Sequence, residues 1–356
     1  MKDQFPTVTP FSDMENEDNG LLSSLKSYRK IPKVPYRILD APGLVDDFYL
    51  NVIDWSAKNY VAVSLLHSVW IWDENQGKVS KFCKREQQDT EEYTAVSWDP
   101  KGNILALGDG QGICQLWDHQ ARKPIRCFNG HAERIDCISW NGSNVFSTGS
   151  KDGSILTCDL RSPENYVACF NGHKDEVCGL KWSPDGSQLA SGGNDNRVFI
   201  WSNRKTEPEA KFTEHNSAIK AITWSPHQQN LLLTAGGYSD RTIKVWNTLS
   251  MSMINEVETD SQVCNIIFSK NSNEFVTAHG HYTNHIVVWK YPEMIKLSII
   301  DGDHSHSDRV LFMADSPDGE KVVSGSCDET LKFWNVFPPK PQKKESFLFP
   351  SIVNLR

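Results

Sequence analysis

Apolar and polar residues alternate in short runs along most of the chain, and several of these runs end alike. Alternating apolar residues lead to a tryptophan and then a polar residue in VWIWD ending at Asp73, CQLWD at Asp118, VFIWS at Ser202, IKVWN at Asn247, IVVWK at Lys290 and LKFWN at Asn335. A seventh run, ILTCD ending at Asp159, carries Cys158 in the tryptophan position. Alternation of period two predicts β-strands. Turn sequences such as SWDPKGN, KWSPDGS and DSPDGE separate the runs, and their Pro, Asp and Gly residues suit chain reversal. Positions 72, 117, 158, 201, 246, 289 and 334 are spaced by 45, 41, 43, 45, 43 and 45 residues.

A period of this size, with four short strands per unit, predicts a WD-repeat β-propeller. Several units open near a histidine: Gly130-His131, Gly172-His173, His215, and His304 or His306. An aspartate follows 21–25 positions later, at Asp152, Asp195, Asp240 and Asp328. These residues predict a buried relay running from His to Asp to a Ser or Thr and on to the Trp indole, because buried polar groups need partners. The expected fold is all-β: a seven-bladed WD-repeat β-propeller with short disordered N- and C-terminal tails. Residues 1–28, polar and acidic, form the N-terminal tail. Residues 29–48 form a lead-in segment closing the ring, and 49–337 the propeller. Residues 338–356 form a C-terminal tail that begins with prolines and ends in Leu-Arg.

The charge balance narrows the function. A net charge of −8 and a pI near 5.8 argue against a nucleic-acid partner. Nine cysteines without a Cys-x-x-Cys pair argue against structural zinc and a disulfide framework. No apolar run approaches the roughly 20 residues of a membrane span, and MKDQFPTVTPFSD lacks the apolar core of a signal peptide. The expectation is a protein of nucleus and cytoplasm without a membrane partner.

Candidate chemistry is sparse. Gly108, Gly110 and Gly112 form a glycine-rich run that no helix follows, so it reads as a turn between strands. His279, His281 and His285 in HGHYTNH fall where the sixth unit needs a turn, without a cysteine or carboxylate to complete a metal set. Asp46 and Asp47 show no visible partner for acid–base work. The twelve tryptophans fall mainly at repeat positions and read as core. No cofactor, metal or catalytic residue is expected.

A more specific signal lies outside the repeat, in RKIPKVPYRILDAPGLVDDFYLNVIDWS. It resembles the lead-in to the propeller in the Fizzy family, the activator and substrate-receptor subunits of the anaphase-promoting complex, a ubiquitin ligase. The resemblance continues through LASGGNDNRVFIW, HNSAIKAITWSPHQQNLLLTAGGYSDRTIKVWNT, DSQVCNIIFSK, VVWKYPEM and SPDGEKVVSGSCDETLKFWNVF. SQVCN, SPDGE and FWNVF look closer to the Fizzy-related branch.

The resemblance implies a non-catalytic receptor for two degradation motifs. For the destruction box, Arg-x-x-Leu, it points to Asp40 in ILDAP and Glu329 in CDETLKFW as the anionic pair for Arg, with Leu39 beside an apolar pocket for Leu. From the residues alone, Asp40 reads equally as a turn former and Glu329 as a solvated charge. For the Lys-Glu-Asn motif it points to Asn194, Asn196, Gln262 and Arg309, with Tyr238 standing where the family commonly has Thr. The terminal Leu355-Arg356 matches the family's Ile-Arg docking tail conservatively. The family's C-box, Asp-Arg-Tyr/Phe-Ile-Pro, has no good copy; Arg29-Lys30-Ile31-Pro32 matches in part but aligns with the lead-in. Implied partners are core subunits of the anaphase-promoting complex, substrate proteins carrying either motif, and checkpoint or pseudosubstrate inhibitors. The alternative is a WD-repeat scaffold or inhibitor that binds motifs without activating the ligase.

Overall fold

The computed structural model describes residues 29–84 and 92–340. Met1–Lys30 and Ile31–Arg356 are separate units; residues 29 and 30 of the first carry no regular structure. The expected N-terminal tail, 1–28, and residues 341–356 of the expected C-terminal tail, 338–356, lie outside the described residues.

Among the described residues the secondary structure is strands alone, arranged as seven four-stranded antiparallel sheets. Blade one is built from Ile53–Trp55, Tyr60–Leu65, Ser68–Asp73 and Lys78–Lys84. Blades two to six repeat that order over residues 93–129, 135–171, 177–212, 221–258 and 263–300. Blade seven has Val310–Asp315, Lys321–Ser326 and Thr330–Asn335 and takes its fourth, outermost strand from Arg37–Asp40. The first strands of neighbouring blades pack side by side, and Ile53–Trp55 meets Val310–Asp315, so the ring is closed.

The repeated tryptophan is the wedge that fills each blade. Trp201, Trp246, Trp289 and Trp334 are completely buried, and Cys158 is buried in the same role in blade three. A buried indole N–H needs an acceptor. In blade four Trp201 donates to Ser191 Oγ at 2.8 Å, Ser191 Oγ lies 2.8 Å from His173 Nε2, and His173 Nδ1 lies 2.9 Å from Asp195. Trp246–Thr234–His215–Asp240 and Trp334–Ser324–His306–Asp328 repeat the chain in blades five and seven. The histidine therefore sits between the aspartate and the hydroxyl, which corrects the order expected from sequence. Imidazole is the member with two ring nitrogens able to bridge them. His306, not His304, opens blade seven.

Four blades depart from the pattern. In blades one and two the indole donates instead to Glu74 at 2.9 Å and to Gln115 at 3.1 Å. Blade three keeps Asp152, His131 and Thr148, but Cys158 leaves the relay without an indole. In blade six the histidine comes from within the sheet: His279 ends the strand Glu274–His279, fully buried, and shares Thr277 Oγ1 with Trp289. It does not lie in the turn where the sequence pattern put it.

One seam remains where the ring begins and ends. Arg37–Asp40 pairs with the last strand in the register Arg37↔Phe333, Leu39↔Leu331 and Asp40↔Thr330. Beneath it, Glu74 of blade one accepts hydrogen bonds from Trp72 Nε1 at 2.9 Å, Tyr36 Oη at 3.0 Å and Lys321 Nζ of blade seven at 3.2 Å. The Arg37 guanidinium lies 4.7 Å over the Trp72 ring. Burial alone pushes the Glu74 carboxyl up, but the three donors outweigh it and hold it below its ordinary range.

Two outcomes are expected. Ser191→Ala strands the Trp201 N–H and His173 Nε2 together and should cost about 2–3 kcal/mol in urea unfolding. The second concerns acid. Burial pushes Asp328 up, but His306 and Thr330 outweigh it, so its folded pKa lies below the unfolded one. Its contribution is present above about pH 4 and is lost as pH falls further. Asp328→Asn should therefore flatten the acid limb of a stability-versus-pH curve.

Candidate functional site

The residues singled out by sequence gather at two places. The first is the seam. Asp40 ends the lead-in strand opposite Thr330, and the Ala41 N–H donates to Glu329 O at 2.7 Å, so the two carboxylate-bearing residues are neighbours across the ladder. Both side chains are exposed. Asp40 has no hydrogen-bond or ion-pair partner among the described residues, whereas Glu329 Oε1 accepts from Gly43 N–H at 2.9 Å. Beside them lies a cavity of about 260 Å³, lined by Leu39, Ala41, Pro42, Val63, Trp70 and Leu331 among others. Leu39, half-buried, forms one wall. The site thus pairs exposed negative charge with an adjoining apolar hole, an arrangement suited to a guanidinium followed by an aliphatic side chain.

Glu329 occupies a demanding position. Its φ is +58°, in the left-handed region, and the matching turns of blades two, three and four hold Gly112, Gly153 and Asn196. Glycine and asparagine take that conformation readily, whereas a longer side chain costs roughly 1 kcal/mol there. The Gly43 hydrogen bond offsets part of this cost. Gly43 itself has φ +81°, and a Cβ on it would meet the Leu66 side chain at 2.9 Å.

The second place is one mouth of the central channel. Arg309 and Gln262 meet around Gly280, where a Cβ would lie 2.8 Å from Gln262 Oε1 and 3.5 Å from Arg309 Cδ. Tyr238 joins them through His281, which it meets edge to face at 5.3 Å. Asn194 stands apart. Its Nδ2 donates to Asp175 at 3.0 Å and its Oδ1 accepts from the Tyr49 hydroxyl at 3.0 Å. Asn196 serves its turn, with φ +61° and its N–H on Gly193 O at 3.2 Å.

What links the two groups is a stretch whose contacts the sequence did not reveal. Asp46 pairs with Arg309 and accepts from Cys327 Sγ at 2.7 Å. Asp47 pairs with Arg134 at 2.9 Å, and Tyr49 reaches Asn194. Asn51 Nδ2 then donates to Asp136 O at 2.8 Å and Cys178 O at 3.1 Å. Asp46 and Asp47, which show no partner in the sequence, are thus both engaged. Arg134 also faces Asp136 at 2.9 Å and Glu176. Asp136 is fully buried, and burial followed by the Glu176 charge pushes its carboxyl far up. The site thus disfavours the charged form of Asp136, while Arg134 beside it opposes the shift. Below the segment, Lys220 is held over the Phe312 ring at 4.5 Å, and burial lowers it to about 8.

Among the described residues no cluster of three or more metal-ligating side chains occurs. Leu355 and Arg356 lie outside the described residues. The signals for Asp46, Asp47 and Tyr49 were present in the unusual lead-in, but nothing local in the sequence marks Arg134.

The CDC20/Fizzy WD40 domain description matches residues 39–334 of the chain. "Protein FIZZY-RELATED 1" of Arabidopsis thaliana is 50% identical over 325 residues, covering 91% of this chain and 67% of that protein. "Anaphase-promoting complex subunit cdc20" of Dictyostelium discoideum is 46% identical over 88% of this chain and 62% of its own length. A chain of the crystal structure of the mitotic checkpoint complex superimposes with a TM-score of 0.84 at 38% identity, covering 94% of this chain and 99% of that one.

The Arg134 cluster separates two substitutions. Arg134→Met leaves Asp47 and Glu176 uncompensated and should cost about 3 kcal/mol by urea unfolding at neutral pH. Asp136→Asn keeps the shape of a group whose charged form burial disfavours, and should cost less than Arg134→Met by the same measurement.

Proposed function

The chain belongs to the CDC20/Fizzy WD40 family, and from that premise we propose that it is a substrate-recognition and activator subunit of the anaphase-promoting complex. The family is one of non-catalytic adaptors, and the chain is not an enzyme. Its work is to hold short motifs of substrate proteins where the ligase can act on them. The observation that carries the reading is the seam site. Asp40 and Glu329 suit the Arg of an Arg-x-x-Leu motif, and the adjoining apolar cavity beside Leu39 suits its Leu. The channel mouth suits a Lys-Glu-Asn motif, with Arg309 for the Glu, Gln262 for the Asn and Tyr238 at the margin, while Asn194 and Asn196 lie apart from them and would take part only if the ligand displaced their present partners. The free end at Leu355-Arg356 would dock on the ligase core. Checkpoint and pseudosubstrate inhibitors would compete for the same surfaces, in nucleus and cytoplasm.

The energetics fit transient capture. Burying one leucine contributes roughly 1.5–3 kcal/mol, and exposed charge pairs contribute less than buried ones. A lone motif should bind weakly, and tethering through the ligase or a second motif raises the effective concentration.

Fluorescence anisotropy with a labelled Arg-x-x-Leu peptide tests the proposal. Asp40→Asn and Glu329→Gln should each weaken binding by about five- to tenfold, and an Arg→Ala peptide should lose this sensitivity. A folded protein that ignores the peptide at high micromolar concentration, or variants that bind it as wild type does, would refute the seam assignment. Copurification with ligase core subunits separates an activator from a scaffold that binds motifs only.

A further inference from the structure

The loop that follows the strand Glu274–His279 packs its side chains against Arg309, whose guanidinium is held at two corners. Nη2 pairs with Asp46, and Nη1 lies 3.1 Å from His281 Nε2. A guanidinium only donates hydrogen bonds. Nε2 must therefore offer its lone pair, and the imidazole is neutral while this contact exists. His281 is fixed in turn by Tyr238, which stacks on Tyr282 at 5.7 Å and shares a 2.7 Å hydroxyl hydrogen bond with it. Gly280, the preceding residue, donates to Gln262 O at 3.0 Å. Gln262 is 5% exposed, and its Oε1 has no partner among the described residues. An unused acceptor and a clamped guanidinium thus flank one glycine.

The geometry points to His281 as a positioning residue for Arg309. As a neutral imidazole it holds Nη1, and with Asp46 on Nη2 it sets the plane in which the guanidinium presents its remaining N–H groups. The ligand class is a peptide that brings a side-chain carboxylate to Arg309 and an amide donor to Gln262, which rests on the Lys-Glu-Asn reading above. Protonation of His281 sets two cations 3.1 Å apart and releases that corner. The groups around the imidazole come from several elements. Arg309 stands on blade seven, with Asp46 of the lead-in and its Cys327 donor beyond it. Tyr238 comes from blade five and Tyr282 from the loop itself. Only the Arg309–Asp46 pair among them is ionic.

Two readouts on the full chain test this. In the first, histidine ring resonances are followed by NMR. Arg309→Ala should shift the His281 ring resonances, because the donor to Nε2 is gone; unchanged resonances overturn the contact. In the second, anisotropy with a labelled Lys-Glu-Asn peptide compares wild type, His281→Gln and His281→Ala at about pH 7.5 and about pH 6. Glutamine keeps an acceptor, so His281→Gln should bind within about twofold of wild type at the higher pH and lose the fall toward the lower one. His281→Ala should bind about fivefold more weakly at the higher pH. Equal losses in both variants, or a pH profile that survives in His281→Gln, leave the loop a structural role only and overturn the proposal. If wild type ignores the peptide while the His281 resonances shift in Arg309→Ala, the Lys-Glu-Asn reading fails and the recognition role of His281 fails with it.

Discussion

A ring of sheets has to be closed somewhere, and here the closure is one short antiparallel pairing between Arg37–Asp40 and the final strand. Six blades each complete themselves from consecutive sequence. Blade seven cannot, because its outer strand arrives from almost 300 residues away; the Asp40↔Thr330 pair spans the whole propeller. Glu74 reinforces the joint by gathering donors from blade one, blade seven and the lead-in. Loop-closure entropy grows slowly with length, so a few well-placed contacts suffice to hold so distant a seam.

The same pairing positions the candidate recognition surfaces. It brings Asp40 beside Glu329 and leaves Leu39 against the cavity. The chain then crosses the channel mouth, where Asp46, Asp47 and Tyr49 reach blades seven, three and four in turn. One segment therefore seals the ring, shapes the seam site and restrains the residues proposed to read a second motif. Arg309 is held by Asp46 in the free protein, so a ligand carboxylate has to share or displace that partner. In the proposed function, such exchange would keep single-motif affinity modest and allow release.

Much of the fold was legible because a propeller writes its period into the sequence. The tryptophan that ends most third strands is local and repeated, and in blades four, five and seven so are the hydroxyl and histidine that satisfy it. Cys158 could be placed by spacing alone. Departures from the repeat were not legible. His279 reaches Thr277 from inside its strand, and only the folded sheet shows that the relay is rebuilt in a different way. The pairing of Asp47 with Arg134, 87 positions away, leaves no local trace. The seam site lies between: its residues read as a turn former and a solvated charge on their own, and the family resemblance singled them out. Glu329 takes the left-handed conformation where blades two, three and four use glycine or asparagine, but Arg241 of blade five takes it too, so the backbone alone does not set Glu329 apart.

The central claim is that the segment that closes the ring is also the segment that recognises substrate. Hydrogen–deuterium exchange of the full chain, with and without an Arg-x-x-Leu peptide, tests it most directly. The account predicts added protection over residues 37–45 and 326–333 with that peptide, and none with its Arg→Ala counterpart. Saturable peptide binding that leaves both stretches unchanged would contradict it and move the recognition surface elsewhere on the propeller.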